Sequence, residues 1–247
     1  VLRFSRLGRK LHESNINQSL IKAVRLQSAP SLTTRPTNTF AMPSINADFS
    51  LKVVEHTATM PFVASPNPHV KRKMLDRVGD EIARATSIVR YEPGSAFERH
   101  SHGGGEEILV LEGTFSDEHG SYPAGTYLRN PPQTAHAPFS ESGCTLFVKL
   151  WQFAAGDEQA VRLNTLTNTW YPGLVAGLSV MPLHEFDGIS TALVRWAPHT
   201  VFNPHVHPGG EEILVLEGVF HDDHGSYPKG SWLRSPRYSR HAPYTQA

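Results

Sequence analysis

The chain is short of several things that most functional classes need. Among its 247 residues there is one cysteine, Cys144. That excludes an intrachain disulfide, a C-x-x-C redox pair and a cysteine-rich zinc module, and it makes a reducing, cytoplasmic setting the expectation. Charge of neither sign dominates: 23 basic residues balance 23 acidic ones. No global field therefore recruits nucleic acid or an anionic membrane. Nor does any apolar run approach the roughly 20 residues that a membrane helix requires. Acid is scarce in one place: from Val1 to Ala47 only Glu13 faces seven Lys and Arg residues. With no sustained apolar pattern there, residues 1–48 are expected to be a tail without a fixed fold, a leader, or the product of a start assigned too far upstream, with Met42 just ahead of the globular texture.

What the chain does have, it has twice. The run from Phe97 to Phe139 returns without a gap from Phe202 to Tyr244, 105 positions further on. Each copy is cut by turn signals into short apolar or alternating segments, such as EILVLEG and TYLRNPP, which is the texture of an all-β sandwich or barrel. The repeat divides the chain into a first domain over 49–155, a linker over 156–168 and a second domain over 169–247. The two copies end differently. The first continues through SESGCTLFVKLWQF, a closing strand, whereas the second reaches Ala247 without a counterpart of Cys144 to Phe153. If that segment is a strand, its slot in the second unit is expected to be empty, the domain being C-terminally truncated, or to be filled by a strand from a partner.

Each copy also carries H-x-H-x3-E followed by a third histidine 30 positions after the Glu. Residues two apart in a strand share a face, so His100 with His102, and His205 with His207, can grip one ion. The glycines after each pair allow a bend that brings back an acid, and strand parity favours Glu106 over Glu107 and Glu211 over Glu212. His136 and His241 must arrive from a neighbouring strand. Three neutral imidazoles and one carboxylate suit zinc, iron, manganese or nickel. A lone H-x-H is more often an ordinary surface or core pair; four ligand types repeated at identical spacing are not. His119 and His224, in DEHG and DDHG, read as hairpin-turn residues. Tyr122, Tyr227, Arg129 and Arg234 read as packing or strand-pairing residues, and Cys144 as a small buried hydrophobe.

The stretch Gly94 to Gly113 fits G-x5-H-x-H-x3-E-x6-G, and PAGTYLRNPPQTAH ends on the fourth ligand type. This resembles the cupin motifs. More narrowly, HGGGEEILVLEG with DEHG, YPAGTYLRNPP and HAPF resembles the ChrR-type cupin, the C-terminal domain of certain zinc-binding anti-sigma factors. The resemblance implies two tandem double-stranded β-helix (jelly-roll) barrels, the second lacking its last strand. It also implies a metal in each mouth, zinc before iron(II), manganese or nickel. The helical zinc domain with which such anti-sigma factors grip their partner has no counterpart before Phe49, so direct sigma-factor binding is not expected. The partners expected are a small-molecule ligand or substrate and a second copy in a homodimer. His199 stands for Gly94, Pro208 for Gly103, and RYSR with Arg237 and Arg240 stands beside His241, which favours anionic ligands there. A metal-dependent sensor or ligand-binding module and a dioxygenase or carbon–carbon cleaving enzyme both remain open, because cupins of both kinds share these motifs.

Overall fold

Among the described residues the strand pattern seen in the sequence sorts into two large sheets and no helix. The computed structural model describes residues 2–5, 44–80 and 82–246. The first sheet runs Val161–Asn164, Thr126–Asn130, Glu106–Asp117, Cys144–Leu150, Arg84–Tyr91, Val70–Val78, Val63–Ala64. The second runs Tyr171–Pro172, Leu178–Phe186, Ile189–Trp196, Leu2–Ser5, Glu211–Leu214, Ser231–Ser235, Val53–His56. Short two-stranded ribbons complete each barrel, and no described helix is long and apolar enough to cross a membrane.

Period-two alternation builds three cores. In EILVLEG, Ile108 and Val110 point into the first barrel with Phe115, Leu128 and Leu146. Leu109 points the other way, into a central core shared by both repeats: Leu75, Ile88, Tyr127 and Phe147 from the first, Met181, Leu193, Leu214 and Trp232 from the second. Ile213 and Val215 fill the second barrel with Phe220 and Leu233. Cys144, 4% exposed, lies in the first barrel core, and burial pushes its thiol up to about 11.

Each repeat lends an edge strand to the other. Val53–His56, ahead of the first barrel, pairs with Ser231–Ser235 of the second. Val161–Asn164, within the stretch read as a linker, pairs with Thr126–Asn130 of the first. Both arms alternate half-buried and exposed residues, so Val53, Val161 and Leu163 reach the central core while their neighbours face out. Buried charge ties the halves together as well. The Arg129 guanidinium donates to Asp157 at 2.8 and 3.2 Å and lies 2.5 Å from His184 Nε2. Arg234 donates to Asp76 at 3.0 Å and to the Asp48 carbonyl at 3.0 Å. These two arginines, read as packing residues, thus join the repeats.

The slot that Cys144–Leu150 fills in the first sheet is taken in the second by Leu2–Ser5 of the same chain, so it is neither empty nor filled by a partner strand as the sequence suggested. Val148 stands opposite Ser87 and Ile108; Leu2 stands opposite Ala192 and Ile213, the repeat counterparts of those two. Leu2, Arg3 and Phe4 therefore hold the register of Val148, Lys149 and Leu150. Residues 6–43 of the expected tail lie outside the described residues.

Candidate metal centres

Strand pairing brings the histidines together. His100 stands directly opposite His136, and His205 opposite His241. The Nε2 atoms of His102 and His136 are 3.0 Å apart, as are those of His207 and His241. One ligand atom from each of His100, His102 and His136 falls within 4.8 Å of the others, and the same holds for His205, His207 and His241. Glu106 Oε2 is 3.5 Å from His102 Nε2 and 3.6 Å from His136 Nε2. Glu211 reaches His207 and His241 at 3.5 Å each. The structure thus gathers all eight candidate residues into two sets of four. The neighbouring acids turn to the opposite face: Glu107 accepts the Tyr127 hydroxyl at 2.9 Å, and Glu212 accepts the Trp232 indole N–H at 3.0 Å.

Hydrogen bonds fix which nitrogen faces inward. His100 Nδ1 is 2.9 Å from the Glu98 carbonyl, and His205 Nδ1 is 3.0 Å from that of Asn203. His136 Nδ1 meets Asp117 Oδ2 at 3.1 Å, and His241 Nδ1 meets Asp222 Oδ2 at 3.4 Å. An Nδ1 that donates to oxygen leaves Nε2 as a lone pair aimed at the cluster, which is how metal-bound histidines are usually oriented. Burial favours the neutral form of three of the rings: it lowers His102, takes His207 down to about 3, with His205 adding repulsion, and takes His241 to about 4. Burial also pushes Glu211 up to about 8, helped by the charge of Asp222. Glu211 Oε2 is buried with no hydrogen-bond partner. Imidazoles around an orphaned carboxylate oxygen are what a bound cation would satisfy, so the residues fit a divalent metal.

The glycines after each H-x-H do more than bend. Gly105 and Gly210 hold φ at +77° and +84°, conformations that favour glycine. A Cβ on Gly104 would fall 2.2 Å from the Trp151 ring, and one on Gly105 would fall 2.4 Å from Phe153. Trp151 and Phe153 therefore lie on the glycine backbone at the first mouth. His119 and His224 occupy the expected turns, their amides bonded to Asp117 and Asp222 at 2.8 Å. Arg237 and Arg240 are exposed.

Sequence reasoning missed the groups behind the ligands. Tyr122 donates to Asp117 at 3.1 Å and Tyr227 to Asp222 at 3.0 Å. Asn130 donates to Glu106 Oε2 at 3.0 Å. The recurrence of Asp117 as Asp222 inside the repeat was the available signal. Beside His136 lies a pocket of about 220 Å³, with His119, Asn130, Thr134 and Arg162 in its wall.

Small β-barrels that present H-x-H, Glu and a later His from adjacent strands are cupins, and two of them on one chain make this a bicupin. The chain belongs to the ChrR cupin-like family, whose domain model matches residues 50–154 and again 158–247. Among solved structures it resembles a "putative dioxygenase" of Nostoc punctiforme, with TM-score 0.68, 14% identity, and 80% of this chain and 79% of that one covered. It also resembles protein Ylba of E. coli, with TM-score 0.56, 16% identity and coverage of 84% and 91%. Bacillus subtilis oxalate decarboxylase, which has Mn(II) centres, aligns with TM-score 0.51, 14% identity and coverage of 78% and 74%. At these identities the likeness is one of fold. No curated protein sequence matches the chain.

Proposed function

We propose that the chain binds one divalent transition metal in each barrel, through His100, His102, Glu106 and His136 in the first and through His205, His207, Glu211 and His241 in the second, and that it uses them to hold a small ligand as a sensor or binding protein. One observation carries the reading: at both centres the side chains behind the ring aim Nε2 atoms and a carboxylate at one point, and at the second that carboxylate has an oxygen with no other partner. Three imidazoles and a carboxylate suit zinc, iron(II), manganese or nickel. When bound, such an ion supplies a Lewis-acid point for an oxygen donor of the ligand. The residues of the chain orient that point and leave one side reachable, since His100 is exposed while His136 is buried.

The same exposed flank supports a second reading, a metal-dependent dioxygenase or carbon–carbon cleaving enzyme acting on a small chelating substrate. It has less support, because the acids nearest the ligands, Asp117 and Asp222, are spent on the histidine Nδ1 atoms and offer no free base.

Elemental analysis of protein purified without oxygen tests the reading, with His100→Ala and His205→Ala alongside. Each variant is expected to lose one metal equivalent. Zinc would support the sensor reading and iron or manganese the enzyme; protein that carries no metal and takes none up would overturn both.

A further inference from the structure

The exchanged arms carry two cations that end on the opposite repeat's centre. Lys52, next to the arm Val53–His56 and inside the first family match, donates to the Tyr227 hydroxyl at 3.1 Å and lies 3.5 Å from Asp222 Oδ2. Tyr227 donates to Asp222, and Asp222 holds Nδ1 of His241. Arg162, in the arm Val161–Asn164 and inside the second match, donates to Asn130 Oδ1 at 2.5 Å, and Asn130 donates to Glu106. A second donor of Arg162 is tied to the Arg129 carbonyl at 2.9 Å, so the guanidinium of this exposed residue is held at two points. The two cations are not repeat counterparts. Ala160 stands where the repeat would place a second Lys52, and Val54 where it would place a second Arg162. Each centre is thus reached by a cation from the other half of the chain, and Arg162 also lies 5.7 Å from the centre of the Tyr122 ring.

We propose that the repeats position each other's ligand sets: Lys52 holds Asp222, and through it the His241 ring, while Arg162 holds Asn130, and through it the Glu106 carboxylate. Both are positioning residues, and the proposal rests on the metal reading above. Asp222 is a buried carboxylate whose two oxygens must both stay placed for the ring to stay placed. Tyr227 on Oδ1 and Lys52 beside Oδ2 supply that restraint. Direct partners of metal ligands are worth about 10- to 100-fold in affinity, so groups one bond further out are expected to be worth about three- to tenfold.

The test uses the full chain with one centre silenced at a time, His100→Ala to watch the second and His205→Ala to watch the first, and zinc affinity read by chelator competition. Lys52→Met keeps the apolar stem and removes the charge. It is expected to weaken the second centre about three- to tenfold and leave the first unchanged within about twofold, with Lys52→Arg restoring most of the loss. Arg162→Met is expected to do the converse. Equal weakening of both centres would mean general loosening and would overturn the proposal, as would loss confined to the same repeat or no loss at all. A metal-free measurement separates this from failure of the metal reading. In nitrogen-15 spectra of the imidazoles, Lys52→Met should shift the Nδ1–H signal of His241 and not that of His136. If zinc does not bind, that shift still supports the crossed contact, and its absence refutes it.

Discussion

Asn130 donates its side-chain amide to Glu106 at 3.0 Å, whereas Ser235, its counterpart in the second repeat, leaves Glu211 Oε2 buried without a partner. The two centres share ligands but not environments. The first carboxylate already has a hydrogen bond to stabilise its charge; the second is held up at about 8.

Metal uptake at the second centre should therefore depend on pH through Glu211. Below about 8 the incoming ion must displace a proton from Glu211, so affinity there is expected to fall about tenfold per pH unit as pH drops from 8 to 6. His207 and His241, lowered to about 3 and about 4, stay neutral across that range and add nothing to the slope. Chelator competition in the His100→Ala background measures it. A flat profile would show that Glu211 is ionised before the metal arrives, and Ser235→Asn should flatten the slope by giving Oε2 a donor.

The central core makes the two barrels one cooperative unit. Trp232 and Leu75, from different repeats, are both 0% exposed within the same cluster. Truncating a fully buried Trp costs about 3–5 kcal/mol. Trp232→Ala should thus lower the melting temperature of the whole chain in a single calorimetric transition, and polypeptides severed near Gly156 should not fold singly. Two separate transitions would show that the barrels are independent.

At the first mouth, packing rather than backbone freedom dictates one glycine. A methyl on Gly104 would overlap Trp151 at 2.2 Å, so Gly104→Ala must displace that ring. Overpacking of this kind costs about 1–3 kcal/mol. Gly104→Ala is expected to destabilise by that order and to red-shift the tryptophan emission. Trp151→Ala should abolish most of the penalty in a double-mutant cycle; additivity would mean the ring is not the obstacle.

How far the sequence could be read follows from which interactions are local to a strand. His100, His102 and Glu106 were legible because parity along one strand and one bend sets their common face, and His136 because the repeat shows its spacing twice. Asp117 was hidden: its turn signature suggested a hairpin, and nothing along the chain says that its second oxygen faces His136. Lys52, Asn130 and Arg162 were hidden for a stronger reason. They act across strands whose pairing exchanges arms between repeats, and four residues such as VRLN are too short to declare a strand. Leu2–Ser5 is just as short. Only the register against Ala192 and Ile213 reveals that apolar–basic–apolar matches Val148–Lys149–Leu150.

Arg129 offers the sharpest test of how the halves are joined. It is 1% exposed, and Asp157, its partner from the start of the second repeat's arm, is 3% exposed. Burial alone would raise the Asp157 carboxyl, but the bonds and charge of Arg129, with His184, hold it below its ordinary value. A carboxylate lowered in this way stabilises the fold above the unfolded value near 3.8 and loses that contribution as pH falls through the folded value. At neutral pH the pair is fully charged, so Arg129→Met leaves a buried anion with only His184 and the Gln159 amide beside it. Breaking one side of a buried pair costs about 3–5 kcal/mol, whereas removing both charges can be nearly neutral. Arg129→Met is therefore expected to destabilise strongly at pH 7, and adding Asp157→Asn should recover most of the loss. In chemical denaturation, a double variant no more stable than the single one would show that Arg129 acts through its stacking on Phe153, whose ring centre lies 4.0 Å away, and not through charge.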